Sequence, residues 1–410
     1  MTPPSGALLA HAEAALAELL AFARPADQAL SAYFRRHRNL GQRDRAFIAE
    51  TAFAALRRKR SLEAAAGSAA PRALAVAALV RVFGLSGRAL AQDAALVASL
   101  KAFAADKLPA AAQADLPDWL WERLVAVYGA QEAVAIAQGF LGAAPLDLRV
   151  NLAKVSREEA LARLGLEGAP TPLSPAGIRL KGKPAINRHA LFLAGAVEVQ
   201  DEGSQLLAYL LAPRRGEMVA DFCAGAGGKT LALAMLMHGT GRIYAMDVSA
   251  KRLRELAPRA ARAGISNVHP IALASEADVR VKRLAGKIDR VLVDAPCSGF
   301  GTLRRNPDLK WRHGESAIAE LAAKQARILE AAARLVKPGG RLVYATCSIL
   351  PDENEAVADA FAATHPEFRA LSCAQLLAAQ RIPLDTGERL RLWPHRHGTD
   401  GFFAAAYERR

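Results

Sequence analysis

Met218-Val-Ala-Asp-Phe-Cys-Ala-Gly-Ala-Gly-Gly-Lys-Thr230 passes from an apolar run through a glycine-rich turn into a helix-forming stretch. The apolar run reads as a strand buried on both faces, ending at Asp221, with a helix starting at Lys229. Outward from it the chain keeps alternating. A short helix at Gln205 to Leu211 precedes it. A strand at Arg242 to Asp247, a helix through Lys251 to Ala263, a strand at Arg290 to Asp294, a long helix from about Ser316 to Leu335 and a strand at Arg341 to Thr346 follow. This alternation predicts an α/β fold with a mostly parallel, doubly wound sheet, in which ligands bind beyond the carboxyl ends of the strands.

The turn admits three readings. A phosphate-binding P-loop has its Gly-Lys-Thr ending in Gly228, Lys229 and Thr230, but the required first glycine falls on Cys223. A dinucleotide fingerprint has Gly225 and Gly227, but Thr230 stands where the third glycine belongs. In the third reading the turn approaches a nucleoside, and Asp247 at the end of the next strand takes the ribose hydroxyls, an arrangement that S-adenosylmethionine fits.

Upstream, residues 5–140 carry apolar side chains at three- and four-residue spacing, as in Leu8, Leu9, Ala12, Ala15, Leu16, Leu19 and Leu20, and predict an all-α region. Its basic run, Arg35-Arg36-His37-Arg38 and then Arg43, Arg45 and Arg57-Arg58-Lys59-Arg60, suits a solvated helix face and an RNA contact equally. Residues 141–200 change character. Leu146-Asp-Leu-Arg-Val-Asn151, Gly177-Ile-Arg-Leu180 and Val197-Glu-Val-Gln200 read as short strands, Ser156-Arg-Glu-Glu159 opens a short helix, and prolines punctuate the loops, predicting a small α+β subdomain.

The chain has 410 residues, 52% of them hydrophobic, enough for a large core and two or three domains. Its formal net charge of +14 favours a polyanionic partner. The amino terminus lacks the pattern of a secretory signal and no apolar run is long enough to span a bilayer, so a cytoplasmic protein without a membrane partner is expected. Four cysteines, Cys223, Cys297, Cys347 and Cys373, with no C-x-x-C pair, fit neither a disulfide framework nor a metal site.

Two of those cysteines close apolar runs, in Asp294-Ala-Pro-Cys-Ser-Gly299 and Ala345-Thr-Cys-Ser348. With the glycine turn they suit covalent chemistry on a bound base. Carbon 5 of cytosine is a poor nucleophile, and a thiolate adding to carbon 6 makes it reactive toward a methyl donor. A free thiol titrates near about 8.5, so the nucleophile must be activated, and a second group must assist loss of the carbon 5 proton and release. Asp294, Cys297 and Cys347 are the right types, although the residues alone do not rank the two thiols.

Asp294-Ala-Pro-Cys-Ser-Gly-Phe-Gly-Thr-Leu-Arg-Arg-Asn-Pro-Asp-Leu-Lys-Trp311, followed by Tyr344-Ala-Thr-Cys-Ser-Ile-Leu-Pro-Asp-Glu-Asn-Glu355, resembles the Sun (RsmB-type) family of RNA 5-methylcytosine methyltransferases. The likeness runs from about Leu146 to the end of the chain and takes in Val199-Gln-Asp-Glu-Gly-Ser-Gln205 and His397-Gly-Thr-Asp-Gly-Phe-Phe403. It implies a Rossmann-like class I methyltransferase core with S-adenosylmethionine as donor. Cys347 would be the nucleophile and Cys297 the cysteine needed for release, with Asp294 at the cytosine and on the donor side. Cys223, Ala224, Gly225, Ala226, Gly227, Gly228 and Lys229 would form the donor turn, and Asp247 would hold the ribose. One departure stands out: where the family places an acidic residue on the adenine side, the aligned position is Ala274, with Ser275, Glu276 and Asp278 as substitutes nearby. Leu40-Gly-Gln-Arg-Asp-Arg-Ala-Phe-Ile-Ala-Glu50 resembles the NusB-like helical RNA-binding domain that precedes the core in RsmB-type members.

The resulting expectation is a three-part chain: residues 1–140 NusB-like and all-α, 141–200 a small α+β subdomain, 201–410 the methyltransferase core. The expected substrate is small-subunit ribosomal RNA, free rather than in the finished subunit because a buried base must be turned out to reach a thiol. Arg304, Arg305, Lys310 and Arg312 are the candidate RNA contacts, and a monomer without metal is expected. The rival functions are a tRNA cytosine-5 methyltransferase, a P-loop NTPase binding at Lys229, and a non-catalytic RNA-binding ribosome assembly factor.

Overall fold

The computed structural model describes residues 4–410, apart from the side chains of residues 87–89. They form two compact units. One is the chain up to Ala143 together with Thr302–Glu315, and the other is Ala144–Gly301 with Ser316–Arg410. Among the described residues no helix is long and apolar enough to cross a membrane.

The first unit is helical. Its opening helix, Gly6–Leu20, begins where Ser5 Oγ accepts the Leu8 N–H, and it buries Leu9, Ala12, Ala15, Leu16 and Leu19, the spacing of a single helix face. That helix, Gln42–Arg57 and Lys59–Ala66 pack against Pro71–Arg81, in which every side chain from Ala73 to Val80 is buried, and Ala26–Arg36 packs against the opening helix. Thr302–Glu315, remote in sequence, completes this unit by supplying donors to a helix end. The last carbonyls of a helix have no partner within it. Trp311 Nε1 donates to Leu56 O (2.8 Å) and Lys310 Nζ to Arg57 O (2.9 Å), both at the close of Gln42–Arg57, while Arg57 donates to Arg304 O (3.0 Å).

That docking corrects part of the expected RNA surface. Lys310 is 2% exposed and Arg304 7%, so these two are packed inside the helical unit rather than presented to a phosphate backbone. Arg305 and Arg312 remain partly exposed, with Arg312 paired to Asp308 at 3.5 Å.

The second unit carries two sheets. In the smaller, β1 (Leu146–Val150), β2 (Gly168–Pro170), β3 (Gly177–Leu180) and β4 (Val197–Val199) lie in the order β2-β3-β1-β4, all antiparallel. The larger contains β5 (Met218–Asp221), β6 (Arg242–Asp247), β7 (Val268–Ala272), β8 (Ile288–Asp294), β9 (Val336–Thr346), β10 (Phe368–Leu371), β11 (Leu390–Leu392) and β12 (Phe402–Arg409). Its order is β10-β12-β9-β8-β5-β6-β7, with β11 paired to β12. The five strands from β9 to β7 are parallel, as expected, and β12 joins β9 antiparallel.

Alternation within β8 shows why these runs are apolar throughout. Val291 and Val293 pack with Ile328, Leu329 and Ala332 on one face, and Leu292 packs with Leu206, Leu210 and Leu233 on the other. Two boundaries shift by three residues or more from the sequence expectation. The helix before β5 starts at Glu202, where Asp201 accepts the Gly203 N–H. β9 starts at Val336, because Lys337-Pro-Gly-Gly340, which looks like a turn, is absorbed as an irregularity opposite Ile288 and Arg290. The chain leaves β5 toward β6 and β7 on one side and returns to β8 and β9 on the other, so the crevice of a doubly wound sheet opens above the ends of β5 and β8.

Candidate active site

Three strands end in a carboxylate at that edge: β5 in Asp221, β6 in Asp247 and β8 in Asp294, while β9 ends in Thr346 with Cys347 next. The glycine turn leaves β5 with Gly225 at φ +55° and Gly227 at φ +84°. Gly227 caps the helix Gly228–Leu236, and a Cβ there would lie 2.2 Å from Leu256 Cδ1, so both conformation and space require glycine. Asp247 organises the turn: its Oδ2 accepts the Gly225 N–H (2.8 Å) and its Oδ1 the Ser249 N–H (2.7 Å). The Ala224 N–H donates to Met246 O, and Ala226 O accepts from Arg259 Nη1.

A cavity of about 340 Å³ opens here, with Phe222, Cys223, Asp247, Asp294, Cys297 and Cys347 among its lining residues. Cys297 Sγ and Cys347 Sγ lie 3.4 Å apart. Lys229, from the first turn of its helix, reaches across to Asp294, with Nζ 2.6 Å from Oδ2. Burial opposes the Lys229 charge, but the adjoining Asp294 carboxylate outweighs it and raises the pKa above the ordinary lysine value. The hydrogen bond with Cys347, burial, and the negative groups around it push the Cys297 thiol well up. Burial pushes Cys223 up in the same direction, as expected of an inert thiol.

The structure therefore brings together Asp294, Cys297, Cys347, Cys223, Asp247 and Lys229 at one edge of the sheet. Near Ala274, Glu276 lines the cavity, whereas Asp278 turns back to accept the Ala274 N–H (2.8 Å) and to pair with Arg280. The Arg280 guanidinium holds the Asp278 carboxyl well below the usual range. Two residues escaped the sequence reading. Asp221 is buried, its Oδ2 accepts Thr230 Oγ1–H (2.7 Å), its Oδ1 has no partner, and burial lifts its pKa to about 7. Glu353 is wholly buried behind the two cysteine loops. The only sequence signal for either was its place inside a quoted motif.

These residues fit the donor that the resemblance implies. Asp247 lines the cavity and already fixes the turn through the Gly225 N–H, and Phe222, Leu273 and Ile328 supply apolar walls for a flat base. Among the described residues no cluster of side chains could hold a metal ion.

Comparison with known proteins agrees with this architecture. Residues 208–408 match the family described as 16S rRNA methyltransferase RsmB/F, and residues 116–187 match the ferredoxin-like domain of RsmF/B-like methyltransferases. A probable ribosomal RNA small subunit methyltransferase B of Synechocystis is 39% identical over 73% of this chain and 68% of its own length. Its Bacillus subtilis counterpart is 36% identical over 72% and 66%. The chain thus spans about two thirds of the length of these relatives. The crystal structure of a methyltransferase homologue from Pyrococcus horikoshii superimposes with a TM-score of 0.64 at 31% identity, over 75% of this chain and 100% of that one. By sequence, by fold and by the residues gathered at the sheet edge, the chain belongs to the RsmB/F (Sun) family of RNA methyltransferases.

Proposed function

We propose that the protein methylates carbon 5 of a cytidine in small-subunit ribosomal RNA, through a covalent bond between Cys347 and carbon 6 of the base. The observation that carries this reading is the pair of sulfurs 3.4 Å apart in one cavity with Asp294, itself held by Lys229.

The two thiols are not equivalent. Burial, the contact with Cys347 and the negative groups around it favour the protonated form of Cys297, so its S–H is available to the Cys347 sulfur 3.4 Å away. This favours Cys347 as the attacking sulfur. As its S–C6 bond forms, the carbon 5–carbon 6 electron pair shifts toward the ring nitrogen, which takes up a proton, and Asp294 is the group assigned to accept a hydrogen bond from that N–H. S-adenosylmethionine, when bound, supplies the electrophilic methyl group. The carbon 5 proton then passes to water, its electron pair re-forms the carbon 5–carbon 6 double bond and expels the Cys347 sulfur, and the S–H of Cys297, in contact with Cys347, protonates that leaving sulfur.

Incubating the Cys297→Ala variant with S-adenosylmethionine and unmodified small-subunit ribosomal RNA is expected to leave an RNA-linked protein, seen as a slow band on a denaturing gel. The band is expected to vanish when Cys347 is also changed to Ala. A band with tRNA but none with ribosomal RNA would overturn the substrate, and no band with either would overturn the covalent route.

A further inference from the structure

Glu353 follows β9 in Leu350-Pro-Asp-Glu-Asn354, a stretch whose composition suggests surface, yet its side chain is 0% exposed. A buried carboxylate needs donors on both oxygens. Oε1 accepts the Ser298 N–H (2.8 Å) and Gln325 Nε2–H (3.0 Å); Oε2 accepts the hydroxyls of Ser298 (2.5 Å) and Ser348 (2.5 Å). Gln325 Nε2 also reaches Pro296 O (3.0 Å). Every one of these contacts touches a residue next to a site cysteine or a group bonded to one. Pro296 and Ser298 flank Cys297, and Ser348 follows Cys347.

Cys297 and Cys347 line the cavity, while Ser298 and Ser348 point into the protein at 0% and 2% exposure. One carboxylate therefore grips both loops from behind, with the two sulfurs in front of it. The Gly301 N–H donates to Cys347 O (2.8 Å), and Asn354 Nδ2 donates to Ser348 O (3.1 Å), so the backbone beside the grip is also tied.

We infer that Glu353 is a positioning residue that sets the distance between the two thiols by binding Ser298 and Ser348 together. The inference rests on the reading of Cys347 and Cys297 given above. Glu353→Gln keeps the size of the side chain and removes acceptor capacity that two hydroxyls and two N–H groups share. A displacement of about 1 Å at a reacting group costs roughly 10²-fold in rate, so kcat for RNA methylation is expected to fall by about that factor while KM for RNA changes by less than about threefold. The Ser298→Ala/Ser348→Ala variant, with Glu353 intact, is expected to lose a similar factor. Adding Glu353→Gln to it is expected to cost little more, because all three residues act through one contact. A carboxylate that only supports folding would lower the yield of folded protein and leave kcat per folded molecule at the wild-type value, and that result would overturn the inference.

A second readout needs no RNA. Phenylarsine oxide bridges two thiols that touch, so wild-type protein is expected to take up one arsenical, the Cys297→Ala variant none, and Glu353→Gln to bind it about tenfold more weakly, by the same loss of proximity. Unchanged arsenical binding in Glu353→Gln also overturns the inference. If wild-type protein binds the arsenical but methylates no RNA, the proposed reaction fails, and the arsenical comparison still decides the role of Glu353.

Discussion

Lys229 meets Asp294 at 2.6 Å with its side chain only 14% exposed, which makes the pair a fixed part of the site rather than a fluctuating surface contact. The ammonium does two things there. It keeps the Asp294 carboxylate oriented toward the cavity, and it places positive charge near Cys347. Lys229→Met retains most of the aliphatic stem but leaves Asp294 without its cation. Loss of one preorganised electrostatic group of this kind lowers kcat by roughly 10²-fold, and the RNA-linked band formed in the Cys297→Ala background is expected to appear more slowly by a similar factor when Lys229→Met is added. An unchanged rate of band formation would show that Lys229 serves the donor turn alone. The Gly-Lys-Thr ending made this lysine visible in the sequence, and Asp294 was read as a site residue, yet their pairing was not legible, because the two lie 65 positions apart on different elements.

Among elements, β8 and the segment Thr302–Glu315 mark the limits of what could be read. The apolar run of β8 announces a strand buried on both faces, and its terminal Asp294 follows from where such a strand must end. Thr302–Glu315 carries no periodic pattern, and its four cations suggested a nucleic-acid face. Its place depends on the unpaired carbonyls of Leu56 and Arg57, about 250 residues away, which local sequence does not reveal. Glu353 was hidden for a similar reason: the four donors that make its burial possible come from three separate stretches of chain. The buried lysine leaves a measurable trace. Burial lowers the Lys310 pKa to about 7, against the pull of Asp115 and with Arg57 and Arg58 adding to the drop. The unfolded chain keeps that proton to a pH of about 10, so between about 7 and 10 the unfolded state binds more protons and folding becomes more favourable as pH rises. Below about 7 both states are protonated, and the lysine contributes no slope. The protein is therefore expected to melt at higher temperature at pH 9 than at pH 7 through this group, and Lys310→Met is expected to flatten the dependence in a calorimetric pH series. A slope that survives the substitution would place its origin elsewhere.

For the molecule as a whole, the excess of 14 positive charges makes salt the variable that separates RNA binding from chemistry. Phosphate contacts to single-stranded RNA release counterions, and the slope of log K against log salt is about −0.7 per contact, so four contacts weaken binding roughly 50-fold between about 50 and 200 mM salt. Cations that meet phosphates must be accessible, a condition that Arg305 and Arg312 satisfy and that buried Lys310 does not. Replacing Arg305 or Arg312 by Ala is expected to make the slope less steep by about 0.7 each, whereas Lys310→Met is expected to leave it unchanged. Filter binding of unmodified small-subunit ribosomal RNA, titrated at several salt concentrations, measures all three. A wild-type slope near zero would mean that the positive charge of this chain does not serve RNA. A slope that responds to Lys310→Met as strongly as to Arg305→Ala would mean that Thr302–Glu315 leaves its place in the helical unit when RNA binds.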